Sequence, residues 1–384
     1  MNKKLMAVAV AGALAAPGVA FAQASSVTIS GIFKVGLESL SYSSAKATRL
    51  NSSQMRVVDN SSRIIFSMVE GLGNGMDAIA QLDVRYAPDQ ASAVGSNPIG
   101  SGNTWVGLRS KSWGTFTMGR WDLHYGKQPD DIASKAGALG ATAISLMDYI
   151  GATPIANATR TQNVVKWDSP NWNGFNATVA WSANPSNAVG GEADMTNPVA
   201  AGSTTRKGDA WNVNPSYTNG PFQIGYSYWR AKPDLPVAAS NDQRGDVVYG
   251  YYKFGGFKVG LAWNKSRLEN SITGIKAAER TSWSLPMSYA WGPHNIYGHY
   301  TRAGDISSNT AGVITNDTGA RMFSLAYVYD LSKRTSVGLT YSKINNDSNA
   351  NYNFFTSASL GSADATIVAG ESPRLLQATV RHAF

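Results

Sequence analysis

Two kinds of connection alternate along this chain, and their rhythm limits the fold more than any other feature. Seven are tight and rich in turn formers: "EGLGNG" at Glu70 to Gly75, "SKSWG" from Ser110, "SPNWNG" from Ser169, "YTNGP" from Tyr217, "FGG" from Phe254, "WGPH" from Trp291 and "DLSK" from Asp330. Between them lie eight long polar stretches: Ser41–Asp59, Pro88–Gly102, Leu123–Gln162, Ala183–Gly208, Ala231–Gln243, Lys265–Glu279, Ala303–Thr318 and Asn345–Pro373. Runs of about ten residues separate turn from stretch, and their side chains alternate with the period of a strand. Each long stretch joins two such runs, so eight stretches define 16 strands. Short turns at one end and long loops at the other specify an all-β fold, a 16-stranded antiparallel up-and-down transmembrane β-barrel.

The alternation also says which solvent each face meets. Phe257, Val259, Leu261 and Trp263 oppose Lys258, Gly260, Ala262 and Asn264; Trp283, Leu285, Met287, Tyr289 and Trp291 oppose Ser282, Ser284 and Ser288. A soluble β-sandwich would alternate as well, but aromatic residues at run ends (Trp181, Trp263, Trp291, Tyr341) match membrane girdles. The small or polar parity suits a wet lumen. Leu376, Ala378, Val380, His382 and Phe384 alternate to the last residue, and pairing that run with Val27, Ile29, Gly31, Phe33, Val35 and Leu37 closes the barrel without a free edge. Pro215 and Pro286 fall inside strands and lack a ladder donor, so bulges are expected there.

Lys3 and Lys4 precede an apolar run from Leu5 to Ala16, and Ala20-Phe21-Ala22 gives a small-x-small processing site. Residues 1–22 therefore read as a secretory signal, and 23–384 as a single barrel domain. That signal contains two lysines and no acid, so its loss lowers the formal charge from +8 to +6; the absence of cysteine excludes a disulfide framework. His124, His294, His299 and His382 lie in no G-x-S-x-G or H-E-x-x-H context, which argues against an enzyme and against a metal or other cofactor. His382 is assigned to the lipid interface and His299 to a solvated lumen position. Positive charges dispersed over alternating strands argue against nucleic acid.

The segment "SSRIIFSMVEGLGNGMDAIAQLDVRY" resembles the strand-turn-strand signature of Gram-negative trimeric general porins of the neisserial, burkholderial and comamonad type. "SWGTFTMGRWD" is similar to their next hairpin, and "VRHAF" resembles their closing strand. Met68, Val69, Asp83 and "HYGKQPDD" depart from the usual pattern. The resemblance implies a homotrimer in the bacterial outer membrane, in contact with its lipid, with early strands and the second loop as subunit contact. It implies passive diffusion of small hydrophilic solutes and inorganic or organic anions, and a terminal Phe384 read by the outer-membrane insertion machinery. It also implies that the third long stretch folds inward, its middle "DDIASKAGALGATAISLMDYI" forming a short helix that buries Leu139, Ile144, Leu146 and Met147 against the wall.

Parity by itself turns Lys34, Glu38, Arg63, Asp83, Arg85 and Lys166 toward the lumen. The resemblance makes Arg63, Arg85 and Arg120 the basic side of a constriction, with Asp122, Asp130, Asp131 and Asp148 on the acidic loop side. Arg120 shares parity with Phe116 and Met118, so a bulge is needed to turn it inward. One charge about 10 Å away through water is worth roughly 0.4 kcal/mol, so a few uncompensated arginines give at most about tenfold anion preference. The expected function is a water-filled pore with weak to moderate anion selectivity. Lys258, far from the third loop in sequence, is expected to matter little. A surface adhesin built on the long loops is the alternative.

Overall fold

The computed structural model describes residues 25–43, 53–89, 99–155, 160–183, 208–232, 241–355 and 367–384. The expected signal segment 1–22 lies outside them, as does most of the second loop, residues 90–98. The first strands are β1 (Ser25–Ser43), β2 (Ser53–Asp59), β3 (Arg63–Gly73), β4 (Met76–Arg85), β5 (Thr104–Ser110) and β6 (Gly114–Trp121). Within the third loop come two 3-10 turns, Ile132–Ser134 and Leu139–Ala141, one α-helical turn, α1 (Ile144–Met147), and a two-residue ribbon, β7 (Tyr149–Ile150) with β8 (Thr153–Pro154). The wall resumes with β9 (Thr161–Asp168), β10 (Phe175–Ser182), β11 (Asp209–Asn219), β12 (Phe222–Lys232), β13 (Asn241–Phe254) and β14 (Phe257–Asn270). It ends with β15 (Lys276–Trp291), β16 (His294–Ala303), β17 (Ala320–Asp330), β18 (Thr335–Asn346) and β19 (Ser372–Ala383).

β2 and β3 lie end to end against β1, which leaves a closed antiparallel barrel of 16 strands. β1 pairs with β19 from Ile32–Ala383 to Ser43–Ser372, and the Gly31 and Phe384 backbones exchange two hydrogen bonds of 3.1 Å. The terminal residue thus finds its partners on the first strand. Phe384 faces outward and packs on Phe33 with ring centroids 5.8 Å apart, in keeping with the lipid parity expected of it.

The two prolines are accommodated without the expected bulges. Between β11 and β12 the ladder runs Val213–Tyr228 and then Ser216–Gly225, in unchanged register on either side of Pro215. Between β14 and β15 it runs Val259–Met287 and then Ala262–Ser284 around Pro286. Each proline forgoes a few ladder bonds on one side and keeps its pairing on the other, with Ala177 and His299 respectively.

The barrel's main packed core lies inside the lumen. The third loop leaves the wall after Trp121 and spreads across β14–β18, where loop residues Ile132, Ala136, Ala138, Ala141 and Leu146 are wholly buried with Met322, Ala326, Val328 and Ile344. Burial of side chains such as Ile132, Leu146 and Met147 is worth about 1.5–3 kcal/mol each. Leu139 and Ile144 are only half-buried, and the expected helix is broken into two 3-10 turns and the single α-helical turn of α1. Small wall residues give the loop its seat: a Cβ at Gly338 would lie 2.4 Å from the Ala136 carbonyl oxygen, and one at Gly260 would lie 2.6 Å from the Pro129 ring.

Candidate functional site

The side chains that fasten the loop come from several strands. Lys34 Nζ donates to the Ala133 carbonyl at 2.9 Å, Lys258 pairs with Asp131 at 2.7 Å, and Lys135 pairs with Asp330. His299 Nε2 donates to the Ala141 carbonyl at 2.8 Å, and Asn60 accepts the Leu139 N–H at 2.8 Å. Arg280 is buried and donates to the carbonyls of Leu146 and Met147, the latter at 2.9 Å. Those carbonyls end α1 and have no acceptor role within it, so the guanidinium serves as their cap.

Several sequence assignments change as a result. His299 is a buried loop anchor, not a solvated lumen group. Lys258 is no remote bystander, because Asp131 reaches it. Lys34 is engaged under the loop rather than open to solutes. Two of the acids assigned to the loop's solute-facing side serve the loop itself. Asp130 accepts the N–H groups of Ile132 at 2.9 Å and Ala143 at 2.8 Å, and buried Asp148 accepts the Gly126 N–H at 2.8 Å and the Gln128 amide at 3.2 Å. Burial pushes the Asp148 carboxyl up to about 6, against the pull of those two hydrogen bonds. Glu38 pairs with Arg56 at 2.8 Å, close to the wall's own backbone.

Arg120 is the clearest correction. A bulge does occur beside it, but on the partner strand: Gly119 pairs with Val164 and Trp121 with Thr161, so β9 has the extra residue and Asn163 takes a φ of 55°. β6 keeps its alternation, and Arg120 stays on the outward parity opposite Thr104. It lines an external groove with Leu82, Ile99, Met118 and Val165. Its place on the inner wall is taken by Arg160, which sequence parity could not find because the residue lies in the loop just before β9.

A basic group of side chains remains on the wall formed by β3, β4, β6 and β9. Arg63 and Arg85 stand directly opposite each other in the ladder. Arg85 forms a bidentate pair with Asp83, at 2.8 and 2.9 Å, and also reaches Ser61. Arg160 approaches Asp122 at 3.4 Å, and Asn103 donates to Asp122 at 3.0 Å. Lys166 pairs with Asp168 at 2.5 Å while its ammonium lies 3.6 Å above the Trp121 ring, itself stacked on Trp105 at 5.0 Å. Among the described residues Arg63 makes no ion pair, and its Nε is buried without a hydrogen-bond partner. Lys127, at the start of the loop, makes no ion pair either; the Asn214 amide oxygen accepts from its Nζ at 3.0 Å when that amide also donates to Tyr249. Burial outweighs the nearby Asp122 and holds the Lys127 ammonium down at about 8. Beside it His124 is pushed down to about 3, chiefly by burial and secondarily by Lys127, so it stays neutral against Ser227 at 2.9 Å.

A closed, outwardly apolar barrel whose lumen is narrowed by an infolded loop and edged with charge is a transmembrane diffusion channel. The family model for Gram-negative porins matches residues 7–349, and the chain belongs to that family. An outer membrane porin protein of Bordetella pertussis is 25% identical, covering 88% of this chain and 92% of the relative. Outer membrane porin protein 32 of Delftia acidovorans is 26% identical over the full length of both. The solved anion-selective porin from Comamonas acidovorans superposes with a TM-score of 0.70 at 21% identity, covering 94% of this chain and all of that one. The chain is thus an integral outer-membrane porin, a passive channel and not an enzyme.

Proposed function

We propose that the porin favours small anions and that Arg63, Lys127 and Arg160, with Arg85, form the basic edge of its constriction. The observation that carries this reading is the difference in compensation. Arg85, Arg160 and Lys166 each have an acid, whereas Arg63 and Lys127 have none within ion-pair distance among the described residues. Two uncompensated charges at about 10 Å contribute roughly 0.8 kcal/mol, or about fourfold preference for anions before screening.

The Lys127 assignment has a pH signature. A base whose pKa is lowered to about 8 sheds its positive charge well below the usual lysine range. Anion preference, read as reversal potential in planar bilayers, should therefore fall from about fourfold toward about twofold as pH rises from 7 to 9. A flat profile would mean that the Lys127 charge does not act on permeating ions. Lys127→Gln should already show the high-pH value at neutral pH.

Homotrimeric assembly is the second part of the reading. From Val27 to Val165 the exposed large apolar side chains of the wall are aliphatic, Met or Phe, whereas from Trp181 to Tyr341 Trp and Tyr recur. The Trp and Tyr that do face outward there, Tyr86 against Phe33 and Trp167 against Phe116, are only half-exposed, and a wall with fewer exposed interfacial anchors is suited to contact with protein instead of the lipid boundary. It comprises the early strands that the porin resemblance assigns to the subunit contact.

A further inference from the structure

We propose that the outward face of β16–β19, at its long-loop end, binds the phosphate-bearing headgroup of an outer-leaflet lipid. Four basic residues gather there on adjacent strands. Arg302 stands directly opposite Arg321, and Lys343 directly opposite Arg374. Lys343 is level with Phe323, one same-face step below Arg321, so the two pairs are contiguous. With strands about 4.8 Å apart, the four span roughly 15 Å, the breadth of one large headgroup.

Like charges facing each other across a ladder destabilise the sheet. Elsewhere on this belt the protein offsets them: Arg244 lies 3.9 Å from Asp246, Lys265 lies 3.5 Å from Glu279, and Arg267 contacts Glu269. On β16–β19 the one acid in reach is Asp347, 4.0 Å from Arg321 with both side chains exposed, which leaves three of four positive charges unmatched among the described residues. Among the described residues Arg374 has only the Ser41 hydroxyl, at 3.2 Å. A ligand with several negative oxygens relieves both repulsive pairs at once, and guanidinium forks suit phosphate.

The position selects a lipid over a free anion. Tyr300, Phe323, Tyr341 and Leu376 lie on the same outward parity just below the charges, all more than a third exposed. That is the level at which interfacial aromatics meet headgroups, so acyl chains would run down over these side chains while the phosphates meet the cations.

The test uses the purified full chain in neutral detergent, diphosphoryl lipid A as probe, and its phosphate-free counterpart as control. Wild type should retain the diphosphoryl lipid through gel filtration. The variant Arg302→Gln, Arg321→Gln, Lys343→Gln, Arg374→Gln should lose at least about tenfold in affinity. Lys333→Gln with Arg334→Gln, in the turn at the opposite end, should bind as wild type does. If the fourfold variant fails to fold, Arg302→Gln/Arg321→Gln and Lys343→Gln/Arg374→Gln are measured separately, and each should weaken retention. Undiminished binding by the folded variants, equal binding of the phosphate-free lipid, or displacement by equimolar inorganic phosphate would overturn the proposal.

Discussion

Replacing Arg63 and Lys127 together with glutamine should bring the channel's anion preference from about fourfold to near unity at low salt. Both positive charges that lack an acid are then gone, while the Arg85–Asp83, Arg160–Asp122 and Lys166–Asp168 pairs remain and cancel. Neither change touches the lipid face, and glutamine keeps much of the side-chain volume. The difference from wild type should fade in strong salt, where the screening length falls to about 3 Å at 1 M. Arg85→Gln with Asp83→Asn removes one charge of each sign and should leave selectivity nearly unchanged. Reversal potentials across a KCl gradient read all three proteins. A double variant with wild-type selectivity at low salt would place the filter elsewhere, among the loops at the mouth.

Arg280→Met should loosen the constriction loop without unfolding the barrel. The guanidinium is almost wholly buried and supplies the donors for two carbonyls at the end of α1, with Asn264 and Ser282 at 3.3 Å holding it in place. Methionine fills similar space and donates nothing, so two buried acceptors lose their partner at a cost of about 2–4 kcal/mol. The closed ladder bears most of the barrel's stability and is untouched. Single-channel records should show higher conductance and added open-state noise, with Arg280→Lys in between because its ammonium still donates. Quiet wild-type conductance from folded Arg280→Met would mean that the apolar contacts of Leu146 and Met147 alone seat the loop.

The contrast between these variants reflects what can be read from sequence. Alternation along a strand states which face a residue occupies, and that sufficed for the strand order, the closure through Gly31 and Phe384, and the lumen side of Arg63 and Arg85. It does not state what lies over the inner face. Lys34, Lys258 and His299 all point inward as their parity requires, yet the loop covers them and takes their hydrogen bonds. Arg160 and Lys127 were missed because they sit in loop residues without periodicity, where only the fold decides which charges meet. The Arg120 outcome shows a second limit. A bulge on either of two paired strands satisfies the same ladder, and here the positive φ of Asn163 puts it on β9.

The anion preference of the basic constriction is read most directly as the zero-current potential of the wild-type protein in a planar bilayer at neutral pH, with dilute KCl on one side and more concentrated KCl on the other. The potential should carry the sign set by chloride, corresponding to several-fold preference over potassium and shrinking as pH passes about 8. A zero potential, or one with the sign set by potassium, would contradict the basic constriction formed by Arg63 and Lys127.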